Sequence, residues 1–143
     1  MTTQLALIGT WKIESAVTED LATGQKTELF GAHPCGFLSF APDGRMQVLL
    51  VKDGRKAPAD IVATDVERIE LYNGLVAYAG SYSIEGDIVS HRVDASWNQA
   101  WTGTTQLRQF KIDGKTLRIT TVPAKNPITG REDISVLVWT KVE

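Results

Sequence analysis

Gly9-Thr10-Trp11-Lys12-Ile13-Glu14 opens the first of a series of short strands, and its reading sets the fold. Trp11, Ile13 and Val17 alternate with Lys12 and Glu14, the period of a strand with one buried face. Turn signals then recur along the chain: Thr23-Gly24, Pro42-Asp43-Gly44, Asp53-Gly54, Glu85-Gly86, Asp113-Gly114 and Thr129-Gly130. Between most of them lie β-branched or aromatic runs, the signature of an antiparallel sandwich or barrel. Eight strands are expected near 9–17, 36–41, 45–51, 75–84, 87–96, 104–112, 115–122 and 133–142.

One helix breaks the pattern. Thr64-x-x-Glu67 is a capping box, Asp65 suits the positive helix start, and Gly74 is a stop. Val66, Ile69 and Tyr72 share a face, which suits a plug in one barrel end or a lid over a ligand.

Three hairpins can be registered from their turns. A two-residue Asp113-Gly114 loop pairs Phe110 with Leu117 and Arg108 with Ile119. That face is the more apolar, so it points inward and takes Arg108 and Gln106 with it. A Glu85-Gly86 loop pairs Tyr82 with Val89, Gly80 with His91 and Tyr78 with Val93, and its aromatic face carries His91 inside. Asp94 then faces outward. A three-residue Pro42-Asp43-Gly44 turn pairs Phe40 with Met46 and Leu38 with Val48. On the last strand Leu137 and Trp139 share a face with Lys141.

The chain of 143 residues is read as one domain, 1–143, long enough to bury a core. Its net charge of −2 and the absence of any Lys/Arg run argue against nucleic acid as partner. No apolar run reaches the roughly 18–20 residues of a bilayer span, so no membrane role is expected. A single cysteine, Cys35, and an N-terminus unlike a signal peptide point to the cytoplasm.

Gly9-Thr10-Trp11 resembles the first motif of the lipocalins, whose Trp closes the barrel floor against a basic residue near the last strand. The resemblance casts Lys141 as that cation. The chain lacks the Thr-Asp-Tyr-type second motif and the helix that follows the barrel in classical lipocalins. Its further stretches resemble the bacterial and fungal lipocalin-like domain group. They are Phe30-Gly31 through Pro34-x-Gly36-x-Leu38-x-Phe40-x-Pro42-Asp43-Gly44-Arg45-Met46, Tyr78-x-Gly80-x-Tyr82, His91-x-Val93-x-Ala95-Ser96, and Trp101-x-Gly103-Thr104-x-Gln106-x-Arg108. The resemblance implies an all-β, antiparallel lipocalin-like barrel of about eight strands with one short helix. It does not imply one function, because such barrels host both carriers and cofactor-free enzymes.

An inward guanidinium is costly unless paired, and no acidic residue falls on the inner face of the registered hairpins. Arg108 is therefore expected to hold a ligand carboxylate, enolate or carbonyl. His91 is a candidate proton shuttle, and Tyr78 and Tyr82 aim hydroxyls at a ligand. Gln106 shares their wall. Leu38, Phe40, Met46, Val48, Phe110 and Trp139 give apolar grip, with Trp97 and Trp101 near the rim. His33-x-Cys35 lacks a Cys-x-x-Cys or Glu-x-x-His companion, so neither metal nor cofactor is expected.

Three readings follow. The first is binding of a small, largely apolar molecule bearing an anionic or carbonyl group. The second is a cofactor-independent isomerase, cyclase or lyase in the same pocket, with Arg108 on the oxyanion and His91 moving the proton. The third is a barrel filled by Phe110, Met46, Tyr82 and the tryptophans, acting as an interaction module and natural homodimer.

Overall fold

A computed structural model describes residues 2–127 and 129–142, with residues 2–4 by backbone alone. Strands β1 (Gly9–Asp20), β2 (Lys26–Thr27), β3 (Cys35–Phe40) and β4 (Arg45–Val51) are followed by helix α2 (Asp65–Asn73). Strands β5 (Leu75–Glu85), β6 (Ile88–Ser96), β7 (Thr105–Asp113), β8 (Thr116–Thr121), β9 (Ala124–Lys125) and β10 (Glu132–Lys141) complete the order. A short helix α1 (Thr2–Leu7) precedes them. Every pairing is antiparallel, and β1 pairs with both β3 and β10, so the sheet closes on itself. The barrel has the eight expected strands, with β2 and β9 as two-residue additions.

The floor explains the opening motif. Trp11 and Trp139 are buried there beside Phe40 and Leu117. Lys141 pairs with Trp11 across β1 and β10, and its Nζ stands 5.0 Å from the Trp11 ring centre. The same ammonium donates to the Ile8 carbonyl at 2.8 Å, and Trp11 Nε1 donates to the Leu7 carbonyl at 2.9 Å. Gly9 has φ +135°, and a methyl there would come within 2.7 Å of Lys141 Cε. The glycine is thus the space through which the lysine reaches the tryptophan. Leu7 seals this end at the close of α1, an element without a capping signal in the sequence.

Two hairpin registers differ from the expected ones by two residues. Asp113 pairs with Thr116, leaving Gly114-Lys115 as the loop, so Phe110 faces Ile119 and Arg108 faces Thr121. Glu85 pairs with Ile88, so the loop is Gly86-Asp87, Tyr82 faces His91, and Gly80 faces Val93 rather than His91. The cause is local: the expected loops put Asp113 and Glu85 first, where φ must be positive. The observed ones put Gly114 (φ +63°) and Gly86 (φ +62°) there, and among the described residues no other residue type has positive φ. A shift of two keeps every side chain on its face, so Arg108, Gln106 and His91 still point inward. The Pro42-Asp43-Gly44 hairpin has the expected pairs, Phe40 with Met46 and Leu38 with Val48.

Bulges set the rest. The β1–β10 register slips between Ile13 and Ser15. Beyond it Ala16 and Thr18 are buried while Val17, expected inside, is half-buried. Another slip lies between Ala79 and Gly80, where a side chain on Gly80 would run into the Arg92 carbonyl.

Helix α2 has the expected cap: Thr64 Oγ1 accepts from Glu67 N, and Thr64 N donates to Glu67 Oε1 at 2.8 Å. It is not a plug. None of its residues is buried, and Val66, Ile69 and Tyr72 are all exposed. The sealing of the floor falls to α1 and Trp11 instead.

Candidate functional site

The upper half of the barrel holds a cavity of about 330 Å³, open at the end where β4 runs into α2. The third sequence reading, a filled barrel, is corrected here. Phe40, Met46, Tyr82 and Phe110 are all buried, but none lines the cavity. They occupy the lower half, toward the hairpin turns that precede β4, β6 and β8. Tyr82 and Phe40 meet edge to face at 4.9 Å, and the Tyr82 hydroxyl donates to the Ala41 carbonyl at 2.8 Å. That bond commits the hydroxyl to the backbone, so Tyr82 does not serve the site.

The other expected residues converge. Tyr78, His91, Gln106, Arg108 and Trp101 line the cavity, with Leu38, Val48 and Trp139 as apolar wall. Leu29 and Phe30, from the loop after β2, and Leu50 and Val76, flanking α2, complete the apolar side. None of the four was singled out as a site residue: Leu29 and Phe30 depend on where a loop folds back, whereas Leu50 shares the parity of Met46 and Val48 on β4, and Val76 that of Tyr78 on β5.

Arg108 is half-buried on β7. Its Nη1 donates to the Leu107 carbonyl at 3.1 Å, and its guanidinium carbon lies 5.9 Å from the Trp101 ring centre. No described carboxylate pairs with it. Burial pushes the Tyr78 hydroxyl pKa up, opposed by the nearby guanidinium, whose charge and hydrogen bonding favour the ionised form.

His91 is 2% exposed, and its Nδ1 lies 2.8 Å from the Tyr78 hydroxyl. The Tyr78 hydroxyl and His91 Nδ1 share one hydrogen bond, in which either group can donate. The other ring nitrogen, Nε2, is buried with no partner among the described residues. Burial, and then the positive charge of Arg108, depress the His91 pKa to about 3. At neutral pH the His91 ring is therefore uncharged.

Polar groups continue around the wall. Arg108 pairs with Thr121 on β8, the Thr121 hydroxyl oxygen accepts from Ser135 N at 2.8 Å, and Ser135 Oγ lies 2.8 Å from Thr18 Oγ1. Two residues along β10, Asp133 is 7% exposed and also lines the cavity. Burial raises its pKa, and the carboxylates of Asp20 and Glu132 add to that against an opposing hydrogen bond from Asn126. The hairpin reading missed Asp133, although stepping back by twos from Trp139 reaches it.

The remaining candidates lie elsewhere. Trp97 meets Trp101 edge to face with ring centres 5.3 Å apart and does not line this cavity. Asp94 faces outward and pairs with Arg45 at 2.7 Å. Cys35 is exposed and free. Among the described residues no three His, Cys, Asp or Glu side chains are grouped to hold a metal, and no helix is long and apolar enough to cross a membrane.

A lipocalin-like protein from Bacteroides uniformis superposes on the chain with a TM-score of 0.49 and 14% identity, covering 95% of this chain and 98% of that one. The fatty-acid-binding protein 1 of Echinococcus granulosus gives 0.42 and 16%, over 97% and 99%. Comparison with curated proteins finds no match. The family model of the lipocalin-like domain matches residues 8–142, from just before Gly9-Thr10-Trp11 to just past Lys141. With the Trp11–Lys141 floor, the closed eight-stranded barrel and this match over nearly its whole length, the chain belongs to the lipocalin-like domain family.

Proposed function

We propose that the barrel binds a small, largely apolar molecule whose anionic or carbonyl group sits against Arg108. The observation that carries this reading is a guanidinium half-buried in a mostly apolar cavity with no described carboxylate partner. A ligand oxygen would supply an acceptor beyond the Leu107 carbonyl, where no described carboxylate does. Nε2 of His91 is a second unmet polar atom on the same wall.

The same geometry favours binding over proton transfer. His91 Nδ1 is committed to Tyr78, and burial together with the charge of Arg108 holds the ring's pKa at about 3, far below that of a base working near neutral pH. The exposed, unpaired Cys35 supports a reducing compartment such as the cytoplasm as the place of action.

The test is a titration with sodium decanoate, followed by the fluorescence of Trp101 at the cavity wall. Wild type should saturate, and Arg108→Gln should bind at least about tenfold more weakly, the loss of one charge-assisted hydrogen bond. Equal affinity in a folded variant would refute the reading.

A further inference from the structure

We propose that the cavity has a second polar pole, at Asp133, which receives a hydroxyl at the far end of the bound molecule. This deepens the reading above and rests on it: Arg108 takes the acidic or carbonyl end, and Asp133 takes a donor. The two poles are joined by a strip of side chains in adjacent strands: Arg108, Thr121, Ser135 and Thr18. From Arg108 to Asp133 is two strand spacings and two residues, roughly 10–12 Å between Cα positions.

The groups along this strip have bonding capacity to spare. Asp133 Oδ2 accepts from Asn126 Nδ2 at 2.9 Å, the one described hydrogen bond of that carboxyl group. Ser135 and Thr18 share one hydroxyl proton between their oxygens, so the other proton is free to donate. The Thr121 oxygen accepts from Ser135 N, and no described acceptor takes its proton. A plain hydrocarbon tail lying on this strip would strip water from these groups and return nothing. A chain carrying a hydroxyl would satisfy the most buried of them. The opposite wall, built by Leu29, Leu38, Val48, Leu50 and Val76, suits the rest of the molecule.

Besides Arg108, the only described cation that lines the cavity is Lys125, which is exposed on β9, and Arg131 nearby is paired with Asp20. Lys125 would favour a second carboxylate over a hydroxyl, so the two partners predict opposite preferences.

Three series of probes with eight to fourteen carbons decide the matter: alkanoic acids, their ω-hydroxy derivatives and the α,ω-dicarboxylic acids. Calorimetric titration of wild type should show, at the best chain length, the ω-hydroxy acid binding about three- to tenfold tighter than its parent. Asp133→Leu should abolish that preference, the parent acid binding at least as tightly as it does to wild type. Should that variant not fold, Ser135→Ala, which removes a hydroxyl from the strip, should narrow the preference. Equal binding of hydroxy and plain acids, both dependent on Arg108, would overturn the Asp133 pole and leave the function proposal standing. A diacid that binds tightest would assign the pole to Lys125 and overturn it likewise. Failure of every acid to bind would overturn both proposals.

Discussion

A side chain that ends in the interior of a barrel must answer for its polar atoms, and three do so differently here. Lys141 is satisfied by the Trp11 ring and the Ile8 carbonyl. Tyr82 is satisfied by the backbone. His91 keeps one nitrogen unmet. Its folded pKa of about 3 lies below the usual histidine value near 6.5, so the unfolded chain binds the extra proton first. The neutral ring's contribution is complete above pH 6.5 and is lost as the pH falls toward 3. Chemical denaturation across pH 4–7 should show wild-type stability dropping by up to about 1.4 kcal/mol per pH unit below 6.5, over and above the fall in His91→Gln. Parallel pH profiles for the two proteins would show that His91 is not buried as described. The Lys141 pairing and the inward Arg108 were legible from alternation and from the resemblance. Asp133 was equally legible from the parity of β10, but it lay outside the three registered hairpins. Thr18 was not, because the bulge after Ile13 reverses the face of the rest of β1.

At the scale of elements, strand positions and the α2 cap could be read directly from turn glycines and Thr64-x-x-Glu67. The hairpin registers could be read only to within two residues, because the sequence alone does not say which loop position needs the left-handed glycine. The plug reading of α2 was wrong for a physical reason. An apolar stripe of Val66, Ile69 and Tyr72 normally marks a buried face, but here the stripe stays exposed. With so little packing, α2 depends on its ends. The backbone bonds of Thr64 and Ala59 hold the Glu67 carboxyl below the usual carboxylate range. Thr64→Ala should cost the helix about 1 kcal/mol, seen as faster amide exchange within residues 65–73 while the barrel strands stay protected. Exchange that accelerates equally in β6 and β10 would mean that α2 and the barrel unfold as one unit.

At the scale of the whole molecule, closure follows from one contact made twice: β1 pairs with β3 on one side and with β10 on the other. The sequence announced both ends of that seam, in Gly9-Thr10-Trp11 and in Trp139-Thr140-Lys141. What it did not announce is that the interior is divided. Large aromatics pack the floor, and the mouth half is left open, with its walls completed by loop residues such as Phe30. Eight strands permit either a filled barrel or a cavity, and the difference is decided by side-chain volumes at positions that bulges re-aim. The central claim is that an acidic ligand head sits against Arg108 in that open half. Carbon-13 NMR of carboxyl-labelled decanoate, titrated with acid while bound, tests it most directly. A bound carboxylate pKa below that of the free acid in wild type, returning toward or above it in Arg108→Gln, is the predicted result. A bound pKa at or above the free value in wild type would contradict the account.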